Sequence, residues 1–366
     1  MTRQLYIFDG MAGSDGPPLD RLRELAARPE NARFFRAATE AVRDVFDHVG
    51  AAVWRRDLPG GLPLRELLAG AALPPVALRH SLVQGICAHL YQLCLLQPGP
   101  GAVPAPVAAA GHSMGVQAAI AAGHRPAGRR AFVAFARDSI GLATTILLRC
   151  HQVFEEREAS ASVVRAWQER AAAPGVLPTA MASVLGIDEA ALRERVAAHD
   201  AGPVELAIVN SARSHVLAGT PDGLARFWLA HAGDFEQRRV RWSFLASTAP
   251  FHSTLLAPAT ALINADRGAV TYDVSGESLA LPVFVAEEPR NLQDRPDLWR
   301  SFMEQSICRP VDWLTTVTTA VAASRPDQVV DFGPGPGARL FTRESLRHTG
   351  HAVPMTAFAA AGRRNT

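Results

Sequence analysis

The chain has 366 residues, 48% of them hydrophobic and 20% charged, which is the balance of an ordinary globular protein of one large domain with an insert, or two domains. A formal charge of +2 gives no electrostatic case for nucleic acid, and no apolar run reads as a membrane span. All 37 basic side chains are arginine, and Met1-Thr2-Arg3-Gln4 leads into a strand-like run with no signal-peptide pattern, so a cytoplasmic location is expected.

Residues 5–8 predict a first strand. Residues 9–18 follow as a glycine-rich loop that can offer backbone N–H groups to an anion but lacks the lysine and spacing of a P-loop. Helical patterns occupy 19–27 and 31–49, and 75–96 predicts one long apolar helix with proline in its first turn, carrying Gln84 and His89. A Gly/Pro-rich loop at 97–103 feeds a buried strand at 104–110. Gly111-His112-Ser113-Met114-Gly115 then matches G-x-S-x-G, the nucleophile elbow, in which a serine sits on a strained turn between strand and helix. The Ala-rich run 116–123 supplies that helix, 130–154 a second long one, and 155–173 a charged connecting helix.

The rhythm then changes. Strand patterns at 179–185, 204–210, 215–218 and 239–245 alternate with helices at 188–199, opened by a capping Asp188, and 221–232, in the βαββαβ order of a ferredoxin-like unit. The spans 1–175 and 247–366 are therefore expected to form one large domain, with a small domain inserted at 176–246. Beyond it lie the loop Pro250-Phe251-His252-Ser253, a helix to 265, a strand at 281–286, helices at 298–306 and 313–323, and a strand at 328–332. That strand runs into the turn Gly333-Pro334-Gly335-Pro336-Gly337, and 359–366 reads as a tail. Cys87, Cys94, Cys150 and Cys308 have no metal-like spacing and read as buried thiols.

A serine nucleophile needs a base within hydrogen-bond reach. His252 is the best placed of the 12 histidines, because its loop resumes the large domain where the chain crosses back from the small one. His112 adjoins Ser113, but neighbouring side chains at an elbow diverge, so it is expected to line the pocket.

Taken in order, the elbow, Asn210-Ser211 with Val216-Leu217-Ala218-Gly219, Pro250-Phe251-His252-Ser253, Arg309-Pro310-Val311-Asp312-Trp313 and Asp331-Phe332-Gly333-Pro334-Gly335 resemble the acyl-CoA:acyl-carrier-protein acyltransferases, the malonyl/acetyl transacylase fold. The motifs look closest to type I fatty acid synthase β-subunit acyltransferase domains and polyketide starter-unit acyltransferase domains. The resemblance implies an α/β-hydrolase-like large domain with an inserted ferredoxin-like small domain and the active site in the cleft between them. It implies ping-pong transfer of a starter acyl or malonyl group from acyl-CoA, or another acyl carrier, through an acyl-Ser113 ester to the phosphopantetheine thiol of an acyl carrier protein. His252 would be the base, and the backbone N–H groups of Met11 and Met114 would hold the oxyanion. No metal or redox cofactor is implied.

His112, Arg149, Asn210, Gln305 and Ser306 are the substrate-binding residues carried over. Met11 stands where the family usually has glutamine, Val116 where malonyl-specific members have glutamate, and Gln305 and Ser306 compete for one glutamine position. Arg149 is the candidate clamp for a malonyl carboxylate, with Arg137 as rival by spacing, and a structural arginine at a helix end as the other reading. An acidic carrier would meet arginines such as Arg238, Arg239 and Arg241, unless these form a solvated strand face. Two alternatives stay open: a hydrolase with the same Ser-His pair, and a non-catalytic scaffold of the same fold.

Overall fold

A computed structural model describes residues 2–11, 17–99, 104–171 and 174–358. The tail at 359–366, the middle of the glycine-rich loop (12–16) and the end of the loop before the elbow strand (100–103) lie outside the described residues.

Among the described residues, ten strands form two sheets: β1 (Gln4–Phe8), β2 (Ala108–Gly111), β3 (Met181–Leu185), β4 (Val204–Ser211), β5 (Ser214–Gly219), β6 (Arg241–Phe244), β7 (Val283–Phe284), β8 (Val311–Asp312), β9 (Gln328–Asp331) and β10 (Met355–Ala357). The first sheet has the order β10-β9-β1-β2-β7 and is parallel throughout. A parallel sheet needs helices on both faces, and the strands are apolar on both. Tyr6 and Phe8 point into the larger core, while Leu5 and Ile7 pack with Trp313 and Val317 on the other face.

The second sheet has the order β6-β3-β5-β4-β8. Its first four strands are antiparallel in the ferredoxin-like arrangement, with Leu192 from the helix Glu189–Ala197 and Leu224, Phe227 and Phe235 from Pro221–Gln237 in its core. The helix Ala161–Ala171, which precedes the expected boundary at 176, also packs Val163 and Trp167 into this core. The fifth strand, β8, comes from the chain after its return to the first sheet and pairs parallel to β4, Val311 with Ile208 and Asp312 with Val209.

Several expectations from the sequence are corrected. The single helix at 75–96 is two, Pro75–Leu78 and Ser81–Leu95, because His80 adopts an extended backbone and its Nδ1 accepts the Leu82 N–H at 3.3 Å as an N-cap. The elbow strand begins only at Ala108, since Pro104 and Pro106 have no N–H for a ladder. Asp188 stands at an N-cap position without a side-chain capping bond. The glycine-proline turn after β9 leads into a helix, Gly337–His348, and a final strand, β10; the polar outer face of that helix masks its buried Ala338, Thr342, Ser345 and Leu346. Cys308 is half-buried, whereas the other three thiols are buried. The helix Gly128–Val153 is long and apolar enough to cross a membrane; 78% of its apolar window is buried against helices that include Ala32–Val49 and Ser81–Leu95.

Candidate active site

The elbow is forced by close backbone approach. A Cβ on Gly111 would lie 2.1 Å from the Gly115 carbonyl carbon, and one on Gly115 would lie 2.3 Å from the Phe8 carbonyl oxygen, so neither position takes a side chain. Between them Ser113 is held at φ 53°, in the left-handed region that costs an L-residue roughly 1–3 kcal/mol. The helix Gly115–His124 starts two residues later, with the Gly115 N–H bonded to His112 O and the Val116 N–H to Ser113 O. Among the described residues no acceptor takes the Met114 N–H. That donor sits at the positive end of the helix, next to the serine.

His252 completes the pair. Its Nε2 is 2.7 Å from Ser113 Oγ and its Nδ1 is 3.2 Å from the Arg309 carbonyl. A carbonyl only accepts, so Nδ1 carries the proton and Nε2 is left bare to receive one from the serine. Burial, then the neighbouring His112, push the His252 imidazole down to about 4 against the opposing pull of backbone groups of Arg309 and Gln305. The base is therefore neutral at physiological pH.

Its loop is fastened at several points. Thr248 and Ser81 exchange hydrogen bonds, each hydroxyl accepting the other's backbone N–H, at 3.2 and 2.9 Å. His151 Nε2 meets Thr248 Oγ1 at 2.7 Å, and the Ser253 N–H reaches Ile307 O.

His112 turns away from the serine hydroxyl. Its Nε2 bonds Asn210 Oδ1 at 2.8 Å, linking the elbow to β4 of the second sheet. Burial pushes His112 down to about 4 as well. The narrow cleft over Ser113 is lined by Val116, Val285, Glu287, Gln305, Pro310 and Asp312, with β8 forming the wall that joins the second sheet. Among the described residues, Gln305 Nε2 and the buried Ser306 hydroxyl have no hydrogen-bond partner; Gln305 faces the cleft.

The arginines lie elsewhere. Arg149 forms a fork with Asp266, Nε to Oδ2 at 2.7 Å and Nη2 to Oδ1 at 2.8 Å, while Nη1 donates to Gln152. Its guanidinium is engaged by a protein carboxylate, the arrangement expected of the structural-arginine reading. Arg137 pairs with Asp44 at the surface. Arg238 bonds Asp234, and Arg239 and Arg241 are exposed at or near β6, the sheet edge opposite β8 and so away from the cleft.

Sequence reasoning misses a polar group behind the elbow. Asp9, at the end of β1, is 2% exposed. Its carboxylate accepts the Gly10 and Gly337 N–H groups, and Gln92 Nε2 donates to both Asp9 O (2.7 Å) and Gly333 O (2.6 Å). Burial and the nearby Asp331 push Asp9 up to about 7 despite those bonds. The available signal was one carboxylate ending an otherwise apolar strand. That Arg309 supplies the carbonyl orienting the imidazole left no trace in sequence, because a backbone acceptor carries no residue preference.

No family model matches the chain. Among curated proteins, the β subunit of Saccharomyces cerevisiae fatty acid synthase is 27% identical over 267 residues, 67% of this chain but only 13% of that protein's length. Of the solved structures, the acyltransferase domain of the second module of the salinomycin polyketide synthase superposes with a TM-score of 0.65 at 18% identity, covering 98% of this chain and 69% of the other. The malonyl-CoA:acyl-carrier-protein transacylase of Coxiella burnetii gives 0.66 at 16% identity, over 97% and 93%. A malonyl-transacylase solved in complex with its type II polyketide synthase acyl carrier protein gives 0.64 at 16% identity, over 97% and 96%. The chain has the fold shared by malonyl-CoA:acyl-carrier-protein transacylases and polyketide synthase acyltransferase domains.

Proposed function

We propose that this chain is an S-acyltransferase that loads an acyl group from acyl-CoA, or another acyl carrier, onto Ser113 and passes it to the phosphopantetheine thiol of an acyl carrier protein. The observation that carries this reading is the 2.7 Å approach of Ser113 Oγ to the bare Nε2 of a His252 held neutral. In the first half-reaction the serine proton moves to Nε2 as Oγ attacks the thioester carbonyl, the C–S bond breaks, and the departing sulfur takes the proton. In the second, Nε2 takes the carrier thiol's proton, sulfur attacks the ester carbonyl, the acyl C–Oγ bond breaks, and the proton returns to Ser113 Oγ. The Met114 N–H at the helix start, with that of Met11 in the loop after β1, would stabilise the oxyanion, each such donor contributing about 3 kcal/mol.

The acyl group is of the starter type, without a free carboxylate. Arg149 is bound to Asp266, and the charged groups lining the cleft are the acids Glu287 and Asp312. The test is intact-mass measurement after mixing with acetyl-CoA, longer acyl-CoA or malonyl-CoA, with and without holo carrier protein. A Ser113 adduct formed faster from the neutral acyl groups and discharged by the carrier is expected. Free acid released at the same rate with or without carrier would make the protein a hydrolase, and no adduct from any thioester would make it a scaffold.

A further inference from the structure

Strand β1 runs directly into Asp9, a carboxylate both of whose oxygens are taken by backbone amides from opposite ends of the chain. Asp9 Oδ1 accepts the Gly10 N–H at 2.9 Å, and Oδ2 accepts the Gly337 N–H, the first residue of the helix Gly337–His348, at 3.1 Å. The Asp9 backbone is held as well, its N–H donating to Gly333 O at 3.3 Å and its carbonyl accepting from Gln92. A sheet strand does not need a buried carboxylate, and an apolar side chain would avoid its desolvation. Gly337 leaves room for it, since a Cβ there would stand 3.0 Å from Oδ2. On the far side Gly10 presses on the elbow: a Cβ on it would lie 3.2 Å from Ser113 Cβ.

We infer that Asp9 is a positioning residue which sets the Gly10–Met11 peptide against Ser113 by tying it to the start of the C-terminal helix. It acts through the backbone and touches no substrate. The inference rests on the acyl-serine reading, in which the Met11 N–H is one of the two oxyanion donors, and such donors work only when held within a few tenths of an ångström of the developing charge. The charged groups facing this region are Asp331, whose Oδ1 accepts the Gly333 N–H, and Arg339, 3.8 Å from Asp331 Oδ2.

Asp9→Asn and Gly337→Ala attack the same contact from its two ends in the full chain. Asn turns an NH2 group toward one of the two amides, and the alanine methyl crowds the Asp9 side chain while leaving its carboxyl group in place. The measurements are the single-turnover rate of Ser113 acylation at saturating acetyl-CoA, the apparent Kd for acetyl-CoA, amide hydrogen exchange over residues 2–11, and the thermal midpoint. Each variant is expected to slow acylation about 10- to 100-fold, with Kd changed less than about twofold and faster exchange at Gly10 and Met11. The double variant is expected to be no slower than the worse single one, because both remove one coupling. Unchanged acylation in a folded variant overturns the inference, as do slowed acylation with unaltered exchange and losses that multiply. Should Asp9→Asn fail to fold, Gly337→Ala alone decides on the same readouts. Absence of any acyl adduct on the unsubstituted chain would instead refute the acyl-serine reading, and exchange over residues 2–11 would still show whether Asp9 holds the loop.

Discussion

Ser113 and His252, 139 residues apart in sequence, both sit at positive φ, 53° and 62°, with Oγ and Nε2 2.7 Å from each other. Two non-glycine residues in the left-handed region, facing one another, each cost roughly 1–3 kcal/mol that the surrounding structure must offset. The elbow glycines and the Thr248–Ser81 exchange supply that restraint.

Removing either partner separates binding from chemistry. Ser113→Ala is expected to abolish the covalent adduct, while His252→Gln is expected to slow its formation about 10³-fold with acyl-CoA affinity little changed. Intact-mass time courses at saturating acyl-CoA check both.

Acid should switch acylation off late. With His252 pushed down to about 4, the base is unprotonated through the neutral range, so the rate is expected to rise with pH through about 4 and to be flat from about 5 to 7. Single-turnover rates across that range test this; a rise centred near the ordinary histidine value would contradict the buried, desolvated setting of the imidazole.

Arg149→Ala should cost stability and leave substrate choice alone. Asp266 is buried and Arg149 half-buried, 5% and 13% exposed, and the variant leaves the carboxylate with His48 alone, so a loss of about 2 kcal/mol is expected in denaturant unfolding. Burial pushes the Asp266 carboxyl up, but hydrogen bonds from Arg149 and His48 outweigh it and hold the group below its usual range. The sign follows: this stability is present above the ordinary aspartate value and is lost as pH falls below it, and Arg149→Ala should flatten that dependence. A change in the ratio of malonyl to acetyl loading would restore the substrate-clamp role.

Gly115→Ala tests the backbone origin of the elbow. Its methyl would be driven 2.3 Å from the Phe8 carbonyl oxygen, against backbone that cannot yield cheaply. A destabilisation of about 3 kcal/mol or more is expected by chemical denaturation. Gly233→Ala, inside the helix Pro221–Gln237 where a methyl meets nothing within 4 Å, serves as the control and is expected to stabilise by up to about 1 kcal/mol.

The legible parts of this molecule are those where side-chain chemistry and periodicity coincide. Ser113 and its glycines announce a turn because only glycine fits there, and the βαββαβ rhythm of the second sheet survives because each strand has one face on its own small core. What stayed hidden depended on contacts between distant segments. Arg149 reads the same in sequence whether a substrate or Asp266 binds it, and the two residues are 117 positions apart. Asp9 and Gly337 are separated by 328. The helix Gly337–His348 was masked by its glycine-proline preface, and β8 is two residues long, too short for any alternation to show.

That two-residue strand completes the second sheet with a segment from outside the ferredoxin-like stretch of the chain. Cut out at its own chain boundaries, the ferredoxin-like unit would expose the β4 edge that Val311 and Asp312 now cover, with a row of unpaired amides and carbonyls on a buried-type strand. Excision or transplantation of the small lobe is thus a route to self-association, and any chimaera that exchanges it must carry the 309–312 segment along, together with the carbonyl that orients the histidine.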